Sequence, residues 1–183
     1  MKPLKGYNEA TASGEFERLA PGGYVIKIQA VQDNEDKQYL KILFDIAEGP
    51  EKGRYADEDS EHDYRHSFVR SYKDKALGMF KAFIRAIDET NGTKFDERIE
   101  KGFNEQELVG KLLGAVFGYE EYEANDGNVK ERMRIASCLP AEKVRTGKFK
   151  VPELKKLDKP SAPAAAPVPG FTPLSDEDVP FES

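Results

Sequence analysis

Two kinds of apolar periodicity divide the chain and limit the folds open to it. Apolar and polar residues alternate in the segments 24–33, 38–47, 66–72, 111–122 and 129–139. Alternation with period two is typical of β-strands. Between the third and fourth segments, Leu77, Phe80, Phe83, Ile84 and Ile87 recur at helical spacing. The sequence therefore predicts a mainly β fold with one principal helix, at 75–89.

Turn-forming residues separate these segments. Pro21-Gly22-Gly23 precedes the first strand, Asn91-Gly92 ends the helix, and 125–128 (Asn-Asp-Gly-Asn) is a strong hairpin signal. The segment 97–108 is expected to add a helical turn or two. Three strands, a helix and two strands is the order of an OB-fold, a five-stranded and partly open barrel. Other small mixed folds share this order, so the OB-fold-like barrel is one of several candidates.

Composition changes sharply near the C-terminus. Residues 1–20 are predicted to be an N-terminal arm and 21–157 an OB-fold-like nucleic-acid-binding domain, whereas 158–183 are predicted to be a disordered Pro/Ala linker with an acidic tail. That tail carries −4 of the chain's net charge of −6. The remaining body is close to neutral, and bases outnumber acids in 140–157. A nearly neutral body can still present a positive face, because the distribution of charge sets the local field.

Basic and aromatic side chains are interleaved on strand positions that alternation predicts to face away from the core. Cations that follow phosphates and rings that stack on bases together bind single-stranded nucleic acid without sequence preference. The alternative is that these cations simply hydrate an exposed sheet face. The candidate nucleic-acid-binding residues are Lys27, Tyr39, Lys41, Phe68, Arg70, Tyr72, Lys130, Arg132 and Arg134.

Catalytic and metal-binding patterns are weak. His62 and His66 are four residues apart, but their segment leads into a strand and would not place both rings on one helical face. The acids between Asp57 and Asp63 alternate as in a calcium loop, yet His62 and Phe68 occupy the positions that require Gly and Glu. Cys138 is the only cysteine and is predicted to be a small core residue. We therefore predict no enzyme activity, no cofactor and no metal site.

Nothing in the sequence indicates a membrane partner. No segment approaches the ~20 consecutive apolar residues that a membrane-spanning helix needs, and no signal-peptide apolar run follows the N-terminus. The expected location is the cytoplasm.

The acidic tip of the chain looks like a docking peptide. Asp176, Glu177 and Asp178 supply charge, and Val179, Pro180 and Phe181 add a stiff segment with an aromatic anchor. The tip resembles the C-terminal tail of bacterial and phage single-stranded DNA-binding proteins, in which a folded domain, a disordered linker and an acidic tip ending in aliphatic-Pro-Phe follow one another. In that family the Phe is normally the last residue, whereas here Glu182 and Ser183 follow it. This departure puts recognition of the terminal carboxylate in doubt.

The resemblance implies a non-enzymatic protein that coats or protects single-stranded DNA in phage replication or recombination. It also implies that the tail recruits other replication or recombination proteins. Two alternatives stay open: an adaptor whose barrel binds protein, and, less favoured, a metal-dependent nuclease using the acids of 57–63. The sequence indicates neither an oligomeric state nor a preference for DNA over RNA. A homo-oligomer is one of the states open to it.

Overall fold

The computed structural model of the protein describes residues 18–58 and 60–157. Its strands are β1 (Gly22–Asn34), β2 (Tyr39–Ile46), β3 (Ser67–Ser71), β4 (Leu112–Glu123) and β5 (Val129–Leu139). Its helices are α1 (Leu77–Asn91) and α2 (Ala141–Arg145), and its 3-10 turns are Glu35–Lys37, Ser60–Arg65, Asp74–Ala76, Ile99–Lys101 and Glu105–Leu108. The mainly β fold with one principal helix is confirmed. The short helix α2 has no counterpart in the predicted elements.

The five strands form one antiparallel sheet in the order β3-β2-β1-β4-β5. The long strand β1 pairs with β4 from Gly22 to Lys27 and with β2 from Ile26 onward. A β-bulge at Gln29 interrupts the pairing with β2 and bends β1 between its two partners. The bulge also reverses the alternation of side chains, so that Val31 is buried and Ala30 is exposed. Simple alternation along β1 predicts the opposite.

The two edge strands of the sheet approach each other. The Arg70 guanidinium on β3 donates a hydrogen bond to Cys138 Sγ on β5 at 3.1 Å. Burial raises the pKa of this thiol, while the neighbouring Arg70 opposes the shift. Cys138 packs against the core, as predicted. In the described residues no backbone ladder joins β3 to β5, so a closed OB-fold barrel remains a prediction.

The core lies between the inner face of the sheet and α1. Phe83, Ile84 and Ile87 of the helix are fully buried against sheet residues such as Phe44 and Phe117. The end of α1 is fixed to the start of β4, because the Asn91 side chain donates to the Leu112 carbonyl at 2.8 Å and accepts from the Leu112 N–H at 3.1 Å. Gly92 then ends the helix in the left-handed region, with φ of 65°.

Three predicted binding residues face this core. The register pairs Phe68 with Ile42 and Arg70 with Leu40, which places Phe68, Arg70 and Tyr72 on the inner side of β3. Phe68 packs 5.8 Å from the Phe44 ring, and the Arg70 guanidinium lies 4.8 Å above the Phe68 ring. The Tyr72 hydroxyl donates to Asp33 at 2.8 Å. The predicted outward orientation of these three residues is therefore wrong.

The ends of the described chain are also informative. Leu19 belongs to the core, and its carbonyl accepts a hydrogen bond from the Tyr119 hydroxyl at 2.7 Å. The arm predicted for 1–20 thus contributes a core residue near its end. The linker and tail at 158–183, with the partner-binding tip at 176–181, lie outside the described residues. Within the part of the chain that is described, no helix is long and apolar enough to cross a membrane.

Candidate nucleic-acid interface

The outer face of the sheet, turned away from α1, is divided in two by a segment of the chain itself. Residues 140–157, hereafter the strap, cross this face over β1 and β4. Three glycines make room for them. A Cβ at Gly23, Gly114 or Gly118 would lie 2.6 Å from the Phe149 ring, 2.6 Å from Val144 Cγ2 or 2.5 Å from Pro152 Cγ, respectively. Any larger residue at these positions would collide with the strap.

Backbone and side-chain bonds hold the strap at both ends. Beyond Phe117 the edge of β4 no longer pairs with β1, and Lys155 bonds there instead, donating to the Tyr119 carbonyl at 3.0 Å and accepting from the Glu121 N–H at 2.9 Å. At the other end, Arg145 of α2 bonds both oxygens of Glu48, at 2.6 and 3.0 Å. This hydrogen bonding lowers the pKa of the Glu48 carboxyl.

The predicted cations of β5 lie on the strapped part of the outer face, and each has an acidic partner. Arg132 lies 2.8 Å and Arg134 3.9 Å from the Glu120 carboxylate, while Lys130 lies 2.9 Å from Asp126. The hydrogen bond from Lys130 lowers the pKa of the Asp126 carboxyl. The structure therefore brings Lys130, Arg132 and Arg134 together facing away from the core, with the two carboxylates of Glu120 and Asp126 offsetting two of their three charges.

The remaining outer face, hereafter the open face, is formed by β2, β3 and the adjoining part of β1. Tyr39, Lys41 and Leu43 follow one another at alternate positions of β2, opposite Ser71, Val69 and Ser67 of β3. Val69 is 50% exposed. The side chains of the open face are Lys27, Ala30, Gln32, Tyr39, Lys41, Leu43, Asp45, Ser67, Val69 and Ser71.

The cations of the open face differ from those of β5. Lys27 and Lys41 have no carboxylate at ion-pairing distance within the described residues. Asp45, opposite Lys27 in the register, is instead held by the protein, because its Oδ1 accepts from the backbone N–H of Ile46 and of Tyr55 at 2.7 and 3.0 Å. Uncompensated ammonium groups beside the half-exposed Tyr39 ring are suited to a phosphate backbone with stacked bases.

The histidine and carboxylate segment has a structural role. His62 lies in the 3-10 turn Ser60–Arg65, whereas His66 is buried with its ring 5.2 Å from Tyr55. Burial lowers the pKa of the His66 imidazole, against the opposing effect of Glu58 and Asp63. The described residues include no group of three or more His, Cys, Asp or Glu side chains placed to hold a metal ion.

Sequence reasoning missed the apolar members of the open face, Leu43 and Val69, and it missed the strap. Leu43 and Val69 are apolar residues at outward positions, which alternation alone assigns to no function. The strap has one sequence signal. Gly114 and Gly118 lie four residues apart on one face of a long strand, and glycines inside a strand often mark a close backbone approach.

Comparison with known proteins assigns no family. The chain matches no protein-family model, and no curated protein matches its sequence.

Proposed function

We propose that the protein binds single-stranded DNA, without catalysing a reaction, on its open face. The observation that carries this proposal is the combination on one exposed sheet surface of an aromatic ring, Tyr39, with two lysines, Lys27 and Lys41, that lack acidic partners in the described residues. The three cations of β5 provide a weaker surface, because Glu120 and Asp126 lie at ion-pairing distance from them and offset two of their three charges.

Each part of the open face has a defined task in this proposal. The Tyr39 ring stacks on a base, which is worth ~1–3 kcal/mol in single-strand binding and depends little on base identity. Lys41 and Lys27 contact phosphates and release counterions, so that each contact adds ~0.7 to the slope of log affinity against log salt. Leu43 and Val69 offer apolar surface to sugars and base edges. The expected binding is strong at low salt, weak at high salt and tolerant of sequence.

A titration of the whole protein into fluorescent oligo-dT at several salt concentrations tests this proposal. We expect saturable binding whose affinity falls steeply as salt rises. Absence of binding at low salt would overturn the proposal and favour the adaptor, whose sheet binds protein. Cleavage of the labelled strand that depends on an added divalent metal would overturn the non-enzymatic part.

The acidic tip supplies the second half of the proposal. We infer from its resemblance to the tails of single-stranded DNA-binding proteins that residues 176–181 recruit replication or recombination proteins. Phe181 is the expected anchor, because burying such a ring in a partner pocket contributes ~1.5–3 kcal/mol. Phe181→Ala should abolish capture of purified partners of this class and leave affinity for oligo-dT unchanged. If Phe181→Ala still captures every partner, the docking hypothesis is wrong and the tip is an ordinary solvated acidic terminus.

A further inference from the structure

A groove of about 730 Å³ opens at one end of the open face, beside the bulge of β1. Its walls come from β1, from the segment that follows β2 and from the segment that precedes β4. The residues that matter for its chemistry are Lys27, Gln29, Asp45, Lys52, Val109 and Leu112. We call it the bulge groove. It shares Lys27 and Asp45 with the open face, so the two surfaces are continuous.

The charges of the bulge groove are arranged for an anion. Its two carboxylates are bound internally, Asp45 by the backbone N–H groups of Ile46 and Tyr55, and Glu48 by both arms of Arg145. Its two lysines, Lys27 and Lys52, are exposed and have no ion-pair partner in the described residues. The two carboxylates keep their charge, and Lys52 acts on Glu48 at a distance, but their oxygens accept hydrogen bonds from other groups, so an anion entering the groove contacts the exposed ammonium groups.

The lining of the bulge groove also limits what part of a nucleotide it accepts. Val109, 40% exposed, and Leu112 give it an apolar wall. None of its lining residues is aromatic. Since base stacking needs a π-face, the bulge groove is suited to sugar and phosphate rather than to a stacked base.

A strand that follows β2 across the open face reaches this groove at Asp45. From Tyr39 to Asp45, β2 covers ~20 Å at the usual rise per residue. That length suits a few nucleotides, at the low end of the ~4–16 that one OB-fold typically covers. A longer strand with a base on Tyr39 has to continue past Asp45 or past the opposite end of β2.

We propose that the bulge groove binds the sugar-phosphate backbone of a single strand whose bases stack on the open face, with Lys52 and Lys27 contacting its phosphates. This inference rests on the proposed function. It adds Lys52 as a phosphate contact that neither the sequence pattern nor the strand positions indicate. It also implies a site longer than the open face itself.

The test compares Lys52→Ala with the unchanged protein on oligo-dT of four, eight, twelve and sixteen nucleotides. Lys81→Ala is the matched control, because Lys81 is exposed on α1, on the opposite side of the sheet. For the longer oligonucleotides we expect Lys52→Ala to lower affinity about fivefold and to reduce the salt slope by ~0.7, the loss of one phosphate contact. Four nucleotides, anchored by stacking on Tyr39, should bind both proteins equally.

The outcomes separate this inference from the proposed function. If the unchanged protein binds no oligonucleotide, the proposed function itself fails. If it binds but Lys52→Ala matches it at every length, or weakens every length equally, the extension into the bulge groove is wrong and the open face stands. Lys52→Glu provides a second variant, which should amplify the length-dependent loss if the groove holds phosphate.

Discussion

The strapped and open halves of the outer face belong to one sheet, yet their side chains differ in size and exposure. On the strapped half, glycines remove side chains so that Val144, Phe149 and Pro152 can lie against the strands. On the open half, the strands keep an aromatic ring, lysines and an exposed valine. One half is covered by the chain, and the other half is exposed.

Electrostatics follows the same division. Glu120 lies between Arg132 and Arg134 and offsets one of their two charges, whereas Lys41 lies among serine, glutamine and apolar neighbours. A count of basic residues treats the two halves alike. Only the position of the acids distinguishes them, because a paired cation has little field left for a phosphate.

The largest expected effect comes from removing both ligand-binding elements of the open face. Tyr39→Ala with Lys41→Ala loses one stacked base and one phosphate contact, so affinity for oligo-dT should fall by more than the roughly 5- to 150-fold that ~1–3 kcal/mol for the ring alone corresponds to. Fluorescence titration measures the affinity, and circular dichroism with thermal melting checks the fold. Lys81→Ala is again the control. If the double variant binds as tightly as the unchanged protein, the open face is not the interface.

The next largest effect tests the strapped half through stability. A Cβ at Gly114 would lie 2.9 Å from the Leu139 carbonyl oxygen and 2.6 Å from Val144, and the backbone cannot give way as a flexible side chain can. Gly114→Val should therefore cost ~1–3 kcal/mol of unfolding free energy, the usual range for overpacking. Urea unfolding measures it.

Gly78→Ala is the matched control for this substitution, because nothing lies within 4 Å of a Cβ at Gly78 and the residue is helical. It should be neutral or stabilise by up to ~1 kcal/mol, since alanine suits a helix better than glycine. Equal stability of Gly114→Val and the unchanged protein would mean that the strap is not packed on β4 in solution.

The difference between the halves also shows how far the sequence could lead. Periodicity and turn residues predict the strand order, the principal helix and the β4–β5 hairpin, because these features depend on neighbours along the chain. Which face of β3 is buried cannot be predicted in this way. Phe68 and Val69 are both apolar, so either face of β3 could be the buried one, and the register with Ile42 decides.

The strap could not be predicted from the sequence for a different reason. Its contacts with the sheet are made by Val144, Phe149 and Pro152, whose spacing follows neither helical nor strand periodicity. The receiving surface combines three glycines, which have no side chain to signal a contact, with the buried Val25 and Val116. The bulge at Gln29 also leaves no signal in the sequence, since an extra residue changes the alternation of side chains without changing the composition. Packing of distant segments, rather than local pattern, sets these features.

The smallest expected effect completes the comparison. Arg132→Ala with Arg134→Ala removes two guanidinium groups that share the Glu120 carboxylate, which offsets one of their two charges. We expect affinity for oligo-dT to change about twofold or less and the salt slope to fall by less than the ~0.7 of one phosphate contact, because both guanidinium groups lie against the Glu120 carboxylate. The same titration series that measures the open-face variant measures this one.

Glu120→Gln is the informative companion, because it leaves both arginines in place and removes their shared carboxylate. If the charge of Glu120 is what keeps the arginines of the strapped half from binding DNA, this variant should bind oligo-dT more tightly at low salt. The slope of log affinity against log salt should then be steeper by up to ~0.7 for each arginine that gains a phosphate contact. The gain should vanish when Arg132 and Arg134 are also replaced. Should Arg132→Ala with Arg134→Ala instead weaken binding as much as the open-face double variant, β5 belongs to the interface, and the strap borders the ligand site instead of closing off half of the sheet.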